Sequence, residues 1–182
     1  MTALISLHNS LFGLLDRWAG FILGSLARLV FAATLLLYFW NSAWTKLGDG
    51  VLGFLFPGDG AYVQIFPRAM EAVSYDSSQL GAFHWIVALA GMWAEFILPL
   101  LILLGLLTRL SALGMIGFVF VQSATDVLAH GATDAKTLGA WFDKDPGSLI
   151  LDQRLFWVFV LVVLVVKGAG PLSLDRMLGR LD

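Results

Sequence analysis

Long apolar runs alternate with short polar interruptions along this chain, and four of the runs are long enough to cross a membrane as helices. The second and third runs are separated only by Thr108 and Arg109, a spacing that predicts a tight helical hairpin. The pattern predicts an all-α protein, a four-helix transmembrane bundle. The four spans are expected at about residues 26–46, 84–107, 110–128 and 149–166.

A further apolar pattern precedes the first span. Between residues 4 and 22, large apolar residues recur at steps of three and four: Leu4, Leu7, Leu11, Leu14, Leu15, Trp18, Phe21 and Ile22. Asn9, Ser10, Asp16 and Arg17 fall on other faces. This spacing predicts an amphipathic helix that lies in the membrane interface. Docking of a partner subunit on the same helix is the alternative interpretation.

Two polar loops rich in Gly, Pro and aromatic or charged residues separate the spans, at residues 47–83 and 131–148. We expect residues 1–182 to form a single membrane domain with both termini on one face. The basic residues divide six to five between the two faces: Arg17, Arg28, Arg109, Lys167, Arg176 and Arg180 against Lys46, Arg68, Lys136, Lys144 and Arg154. This small excess favours cytoplasmic termini.

The composition supports a membrane protein and excludes several other classes. Apolar residues make up 59% of the 182 residues, charged residues 13%, and the mean hydropathy is +0.84, which is outside the usual range of soluble domains. The net charge is −2 without a basic tract, so nucleic acid is not an expected partner. Zero cysteines exclude disulfides and iron–sulfur ligation by this chain.

Glu95 lies near the middle of the second span, where a carboxylate is costly unless another group satisfies it. At about 1.5 Å of rise per residue, polar groups of all four helices fall about 20 Å from the inner boundary, with one about 26 Å from it. The members of this predicted intramembrane polar layer are Glu95, Asn41, Gln122, Arg154 and, slightly further out, Asp126. We expect Glu95 to pair with Arg154.

Two interpretations of this layer stay open. It is either a structural clasp that joins the helices, or a site that accepts protons or binds a head group from the outer face. Lys46, His84 and His130 lie near that outer face, whereas Arg28 and Arg109 mark the inner face as anchors. For the two histidines, hydrogen bonds at helix ends are favoured. The sequence has no metal-binding spacing, haem ligation is disfavoured, and no self-contained catalytic motif is present.

Several short segments together resemble the DoxX family. They are Ala27-Arg28-Leu29, Trp44-Thr45-Lys46-Leu47, Ala94-Glu95, the run from Leu103 to Leu110 with its Gly-Leu-Leu-Thr-Arg junction, His130, and the run from Gly168 to Asp175. The resemblance covers roughly residues 25 to 176 and implies a small multi-pass protein of the bacterial inner membrane.

The resemblance also implies a role, because members of the family have been linked to quinone-coupled thiosulfate oxidation and to membrane complexes that handle thiol or oxidative stress. We therefore expect a subunit that supports a redox system, with a quinone as the candidate cofactor and other membrane or periplasmic subunits as partners. The alternative is a non-catalytic accessory or assembly subunit of a larger membrane complex. A transporter is disfavoured because the spans show no inverted repeat.

Overall fold

A computed structural model describes residues 2–179 of the chain, with side chains from residue 4 onward; Arg180, one of the basic residues counted above, lies outside this range. All regular secondary structure in the described range is helical. The α-helices are α1 (Thr2–Phe31), α2 (Leu37–Trp44), α3 (Asp59–Ile65), α4 (Pro67–Ala72), α5 (Ala82–Leu104), α6 (Thr108–Leu128), α7 (Arg154–Lys167) and α8 (Leu174–Met177). Turns of π-helix at Ala32–Leu36 and Leu149–Gln153 lead into α2 and α7, and a 3₁₀ turn at Ser77–Gln79 precedes α5.

Four helical stretches are long and apolar enough to cross a membrane, which confirms the four-span prediction. They are Leu4–Trp44, Ala82–Leu104, Thr108–Leu128 and Leu149–Lys167. We call the end of the bundle with residues 105–107 the hairpin face, and the opposite end, with residues 45–81 and 129–148, the loop face.

The N-terminal segment differs from the prediction of a separate surface helix. Residues 4–22 and the first span form one uninterrupted helical stretch. Gly24 marks the point where α1 meets the C-terminal segment: a Cβ there would lie 2.7 Å from the carbonyl oxygen of Gly168. A glycine at that position permits close packing of two backbones rather than a turn.

The packing order of the spans positions the site. α5 packs mainly against α2 and α6, whereas α7 packs mainly against α1 and α6, so α5 and α7 stand diagonally across the bundle. The principal core consists of buried residues from all spans: Ala27, Phe31, Leu35, Phe39, Ile102, Ala112, Met115, Val119, Leu161 and Leu164. A smaller core, Ala61, Tyr62, Met70 and Ala88, fixes α3 and α4 against the loop-face half of α5.

A carboxylate from the C-terminal segment closes the α5–α6 hairpin. Gly105 and Leu107 have positive φ angles of 67° and 49°, which turn the chain within three residues. The two carboxylate oxygens of Asp175 accept the backbone N–H groups of Leu107 at 2.7 Å and Thr108 at 2.9 Å. These are amide groups that the first turn of α6 leaves without helical partners, so Asp175 caps α6 from a distant part of the sequence.

Arg28 joins three segments at the same face. Its guanidinium donates hydrogen bonds to the carbonyl oxygens of Ile102 at 3.0 Å and Leu103 at 2.5 Å, at the end of α5. It also donates to Ala169 at 3.1 Å and Leu172 at 2.6 Å. Arg109 lies on this face as well and donates to the carbonyl oxygen of Val165 at 3.3 Å. Both predicted inner-face anchors therefore bind main-chain carbonyl groups at helix ends.

Candidate functional site

Glu95 forms a buried ion pair with Lys46, which lies two residues after the end of the first span. The Lys46 Nζ lies 2.8 Å from Oε2 and 3.1 Å from Oε1 of Glu95, and the side chains are 5% and 2% exposed. Ser42 completes the group: its hydroxyl accepts a hydrogen bond from Lys46 at 2.7 Å and donates one to Glu95 Oε1 at 3.0 Å. Each charge is thereby compensated within the membrane-spanning region, as burial requires.

The prediction that Glu95 pairs with Arg154 is wrong. Arg154 is buried at the start of α7 and donates hydrogen bonds to Asp126 Oδ2 at 2.6 Å and to the Ser123 hydroxyl at 2.8 Å. Its guanidinium carbon also lies 5.9 Å from the centre of the Trp157 ring. The two groups have different neighbours, because α7 packs mainly against α6 and α1, whereas α5 packs mainly against α6 and α2.

A cavity of about 190 Å³ lies beside both ion pairs, in the loop-face half of the bundle. Its lining combines polar residues with apolar ones: Ser42, Lys46, Gln64, Ile65, Val87, Gly91, Glu95, Phe118, Val121, Gln122, Thr125, Asp126 and His130. Val121 is 61% exposed on the outside of α6. The cavity therefore reaches the apolar flank of the bundle between α5 and α6.

Gln122 provides a buried polar atom in this lining that lacks a partner. Its amide nitrogen donates a hydrogen bond to the Tyr38 hydroxyl at 3.0 Å. Its amide oxygen is buried and has no hydrogen-bond partner within residues 2–179. Since buried polar atoms are normally paired, this oxygen marks a place where a bound molecule would gain a hydrogen bond.

Helix α3 covers the loop-face side of the cavity and forms its roof. Hydrogen bonds attach α3 to the ends of two spans. His130, after α6, lies with Nε2 2.8 Å from the carbonyl oxygen of Gln64, which accepts the bond. The Gln64 amide donates to the Thr45 hydroxyl at 3.0 Å. Arg68, in α4, donates to the carbonyl oxygen of Leu128 at 3.2 Å. These contacts attach the segment between the first two spans to both sides of the site.

Two predicted residues lie elsewhere. Asn41 is exposed on the outside of α2 and does not line the cavity. His84 packs edge-on against Phe66 with a centroid distance of 4.8 Å, and its Nδ1 is buried without a partner in the described part of the chain. No group of three or more His, Cys, Asp or Glu side chains in the described range is arranged to hold a metal ion.

Sequence reasoning missed Ser42, Gln64 and Gly91 as parts of the site. Ser42 precedes Lys46 by four residues and Gly91 precedes Glu95 by four, so each lies one helical turn from a charged residue on the same face. That spacing was a usable signal for both. Gln64 had none, because its place depends on how α3 folds back over the spans.

The pKa values that shift outside the spans concern loop structure rather than the cavity. Hydrogen bonds from Ser78 and Gln79 lower the pKa of Asp76, and hydrogen bonds from Thr137 lower the pKa of Asp134. Burial, and then the nearby charge of Asp59, raises the pKa of Tyr62 in the smaller core. The two aspartates stay ionised and stabilise turns on the loop face.

Comparisons with known proteins matched a family model and one relative. The family model described as DoxX matches residues 23–131, an interval that contains Arg28, Lys46, Glu95 and His130 and ends before α7. An uncharacterized protein from Haemophilus influenzae (strain ATCC 51907 / DSM 11121 / KW20 / Rd) is 31% identical over 103 residues, which are 53% of this chain and 54% of that protein. The chain thus spans about half the length of this relative. No solved structure matches the chain significantly.

Proposed function

Since this chain belongs to the DoxX family of integral membrane proteins, we propose that it serves a membrane redox system by holding a small amphiphile of the quinone class in the cavity beside Glu95. The observation that carries the proposal is the cavity itself, which is polar near the ion pairs and opens to the apolar flank of a membrane bundle. The cavity lies inside the bundle of a multi-pass membrane protein, and in this proposal the amphiphile enters it from the lipid.

The size of the cavity fits one ring. Its volume is about 190 Å³, and an apolar cavity of about 150 Å³ in a protein is large enough to bind benzene. A quinone head group is a six-membered ring with small substituents. A hydrocarbon tail does not fit beside it, and leaves between α5 and α6, where Val87, Phe118 and Val121 form an apolar rim.

The polar groups suit the two oxygens of such a ring. Lys46 and Glu95 lie on one side, and Gln122 and Asp126 on the α6 side. The unpartnered Gln122 oxygen accepts a hydrogen bond from the hydroxyl of a reduced ring. Carboxylates at both sides are candidate acceptors for the protons that a quinol releases when it is oxidised. In this proposal Glu95 and Asp126 are the proton-handling residues, and no residue of the chain carries the electrons.

Gly91 offers a test that leaves the charged residues intact. A Cβ at Gly91 meets only the Ile65 side-chain terminus at 3.4 Å, so larger side chains extend into the cavity. We expect the wild-type protein in nanodiscs to bind a short-tailed ubiquinone analogue in calorimetry, and Gly91→Val to lose this binding. Gly117→Val is the matched control, because nothing lies within 4 Å of a Cβ at Gly117 in the exposed part of α6.

Failure of the wild-type protein to bind the analogue, together with absence of quinone in lipid extracts of the purified protein, overturns the proposal. Equal binding by Gly91→Val and wild type also contradicts it, since the ring then lies outside the cavity. Glu95→Gln gives the second readout: binding of the ring persists, whereas proton uptake or release on a redox change of the ring is reduced.

The N-terminal part of α1 favours a second candidate, an accessory subunit of a larger membrane complex. Its large apolar side chains are exposed from Leu4, at 75%, to Leu23, at 40%. We propose that residues 4–22, which continue the first span as one helix, bind a partner subunit through these side chains, and that the protein lies in the bacterial inner membrane with the hairpin face in the cytoplasm. A stoichiometric protein that copurifies with the full chain, and is lost when residues 4–20 carry Leu→Ser changes, supports the accessory role. A quinone-free protein that purifies alone contradicts it.

A further inference from the structure

The connection between α2 and α3 has an unusual combination of irregular backbone and exposed apolar side chains. Residues 47–58 contain one charged residue, Asp49, and five large apolar residues at their centre. These five side chains are all exposed: Val51 at 90%, Leu52 at 56%, Phe54 at 41%, Leu55 at 41% and Phe56 at 59%. A loop of this composition in water would present a continuous apolar patch.

Two indole groups of α5 hold this segment against the span. Trp93 Nε1 donates a hydrogen bond to the carbonyl oxygen of Phe54 at 2.9 Å, and Trp85 Nε1 donates to that of Leu55 at 3.0 Å. The rings of Phe54 and Trp93 also meet edge to face, with centroids 6.4 Å apart. The contact is therefore made by two adjacent carbonyl groups and two tryptophans on one helix.

The position of Trp93 sets the depth of the segment. Trp93 is the twelfth residue of the 23-residue helix α5, so it lies about 16 Å from either end at about 1.5 Å of rise per residue. Trp85 lies about two turns nearer the loop face. Since the segment is bound by both, it runs along the loop-face half of α5, within the thickness that the bilayer hydrocarbon covers.

Hydrogen bonds pair part of the backbone polar groups of this segment. Four internal hydrogen bonds join Gly48 to Gly53, Gly53 to Gly50, Leu55 to Leu52 and Phe56 to Leu52, and the Gly58 amide donates to the Lys46 carbonyl at 3.0 Å. Gly48 and Gly53 permit two parts of this backbone to pack closely together. A Cβ at Gly48 would lie 1.9 Å from the Phe56 carbonyl oxygen. Each of these hydrogen bonds satisfies polar groups that would otherwise be costly to expose to the bilayer core.

We propose that residues 50–56, which we call the inserted loop, enter the loop-face leaflet and contact the acyl chains of its lipids. The exposed apolar surface of the loop continues that of α5, where Ile86 is 56% exposed and Ile97 is 42% exposed. The other loop-face connection provides a contrast within the same protein. There Phe142 is fully exposed beside Asp143, Lys144 and Asp145, a composition that suits water.

Single cysteines test this directly, because the chain contains none. Nitroxide labels are attached to Val51→Cys and Leu52→Cys in liposomes of phosphatidylcholine and phosphatidylglycerol, and collisions with oxygen and with a water-soluble nickel chelate are measured. Phe120→Cys, on the exposed side of α6, is the lipid reference, and Phe142→Cys is the water reference. We expect the labels at positions 51 and 52 to match the first reference. Labels that match Phe142→Cys, or that neither reagent reaches because a second copy covers them, overturn the proposal.

The tryptophan double variant Trp85→Phe/Trp93→Phe tests what holds the loop in place. It keeps an aromatic ring at each position, although a smaller one, and removes both N–H donors; its helix content is checked by circular dichroism. We expect a loss of oxygen collisions and a gain of nickel collisions at position 51. An unchanged profile contradicts the role of the indole hydrogen bonds in holding the loop within the leaflet. Neither outcome depends on whether the cavity binds a quinone.

Discussion

The ammonium group of Lys46 lies 2.8 Å from a carboxylate oxygen of Glu95, and the two side chains are almost wholly buried. The pair connects the end of the first span to the centre of α5. Neither charge has another ionised partner within the described residues, since the second ion pair found there joins Arg154 to Asp126. Removal of either member therefore leaves the other uncompensated in a region that excludes water.

We expect Lys46→Met and Glu95→Leu, as single changes, each to lower the free energy of unfolding by about 3–5 kcal/mol, the usual cost of breaking a buried pair. Denaturation in mixed micelles of increasing SDS content measures this. The double change removes both charges, and we expect it to recover most of the loss. A double variant that is as unstable as the sum of the single variants contradicts the pairing.

The control for this experiment uses the other buried cation. Combining Glu95→Leu with Arg154→Met removes one member of each ion pair, so we expect the losses of stability to add. Recovery in this combination would indicate that Glu95 and Arg154 interact after all.

Ser42 gives a smaller and separate prediction. Its hydroxyl accepts from Lys46 and donates to Glu95, so Ser42→Ala leaves both charged groups with one partner fewer. We expect a loss of about 1–3 kcal/mol in the free energy of unfolding. Ser6→Ala, on the exposed part of α1, is the control and leaves stability unchanged. Equal effects of the two changes would mean that the Ser42 hydroxyl is not part of the pair.

Gly105 is the most constrained residue of the hairpin. Its φ is 67°, and a Cβ there would lie 2.6 Å from Ser173 Cβ and 2.9 Å from the Arg28 guanidinium carbon. We expect Gly105→Ala to destabilise the protein by more than about 1 kcal/mol. Gly117→Ala, in the open part of α6, should stabilise it by up to about 1 kcal/mol through helix propensity. Thermal unfolding in detergent compares them, and the same sign for both changes would contradict this description of the hairpin.

The turn before α5 should lose its order in acid. Hydrogen bonds from Ser78, and then from Gln79, lower the pKa of Asp76 below its ordinary value of 3.8. The ionised carboxylate therefore stabilises the turn fully above 3.8, and this contribution disappears as the pH falls through the lower folded value. The amide signal of Ser78 in NMR follows this change. Asp76→Asn should abolish the titration, and a midpoint above 3.8 in the wild type would contradict it.

The sequence was sufficient to predict the spans, but not to predict which side chains contact one another between them. Hydrophobic runs and the helical rise gave an estimate of how deep Glu95, Gln122 and Arg154 lie, and two of these residues, Glu95 and Gln122, line one cavity. Depth does not fix which way a side chain faces around the helix axis. Glu95 faces α2 and Lys46 because α5 and α7 are diagonal, a fact decided by packing among all four spans.

Lys46 shows a second limit of prediction from the sequence. Its place at the end of the first span indicated an anchor that reaches outward to water. In the structure its flexible side chain instead reaches the Ser42 hydroxyl one turn earlier and the Glu95 carboxylate. The roof of the cavity was equally out of reach of sequence reasoning, because the position of Gln64 depends on hydrogen bonds to Thr45 and His130 from distant segments.

The cap that Asp175 places on α6 has a consequence for biosynthesis. A ribosome delivers α5 and α6 long before residue 175 emerges, so the hairpin enters the membrane with two amide groups and the Arg28 guanidinium still lacking their C-terminal partners. The segment around Asp175 is thus made after the hairpin that it caps. A nascent chain stopped after α7 would hold all four spans without this cap, and we expect it to be more sensitive to protease than a chain that includes residue 175.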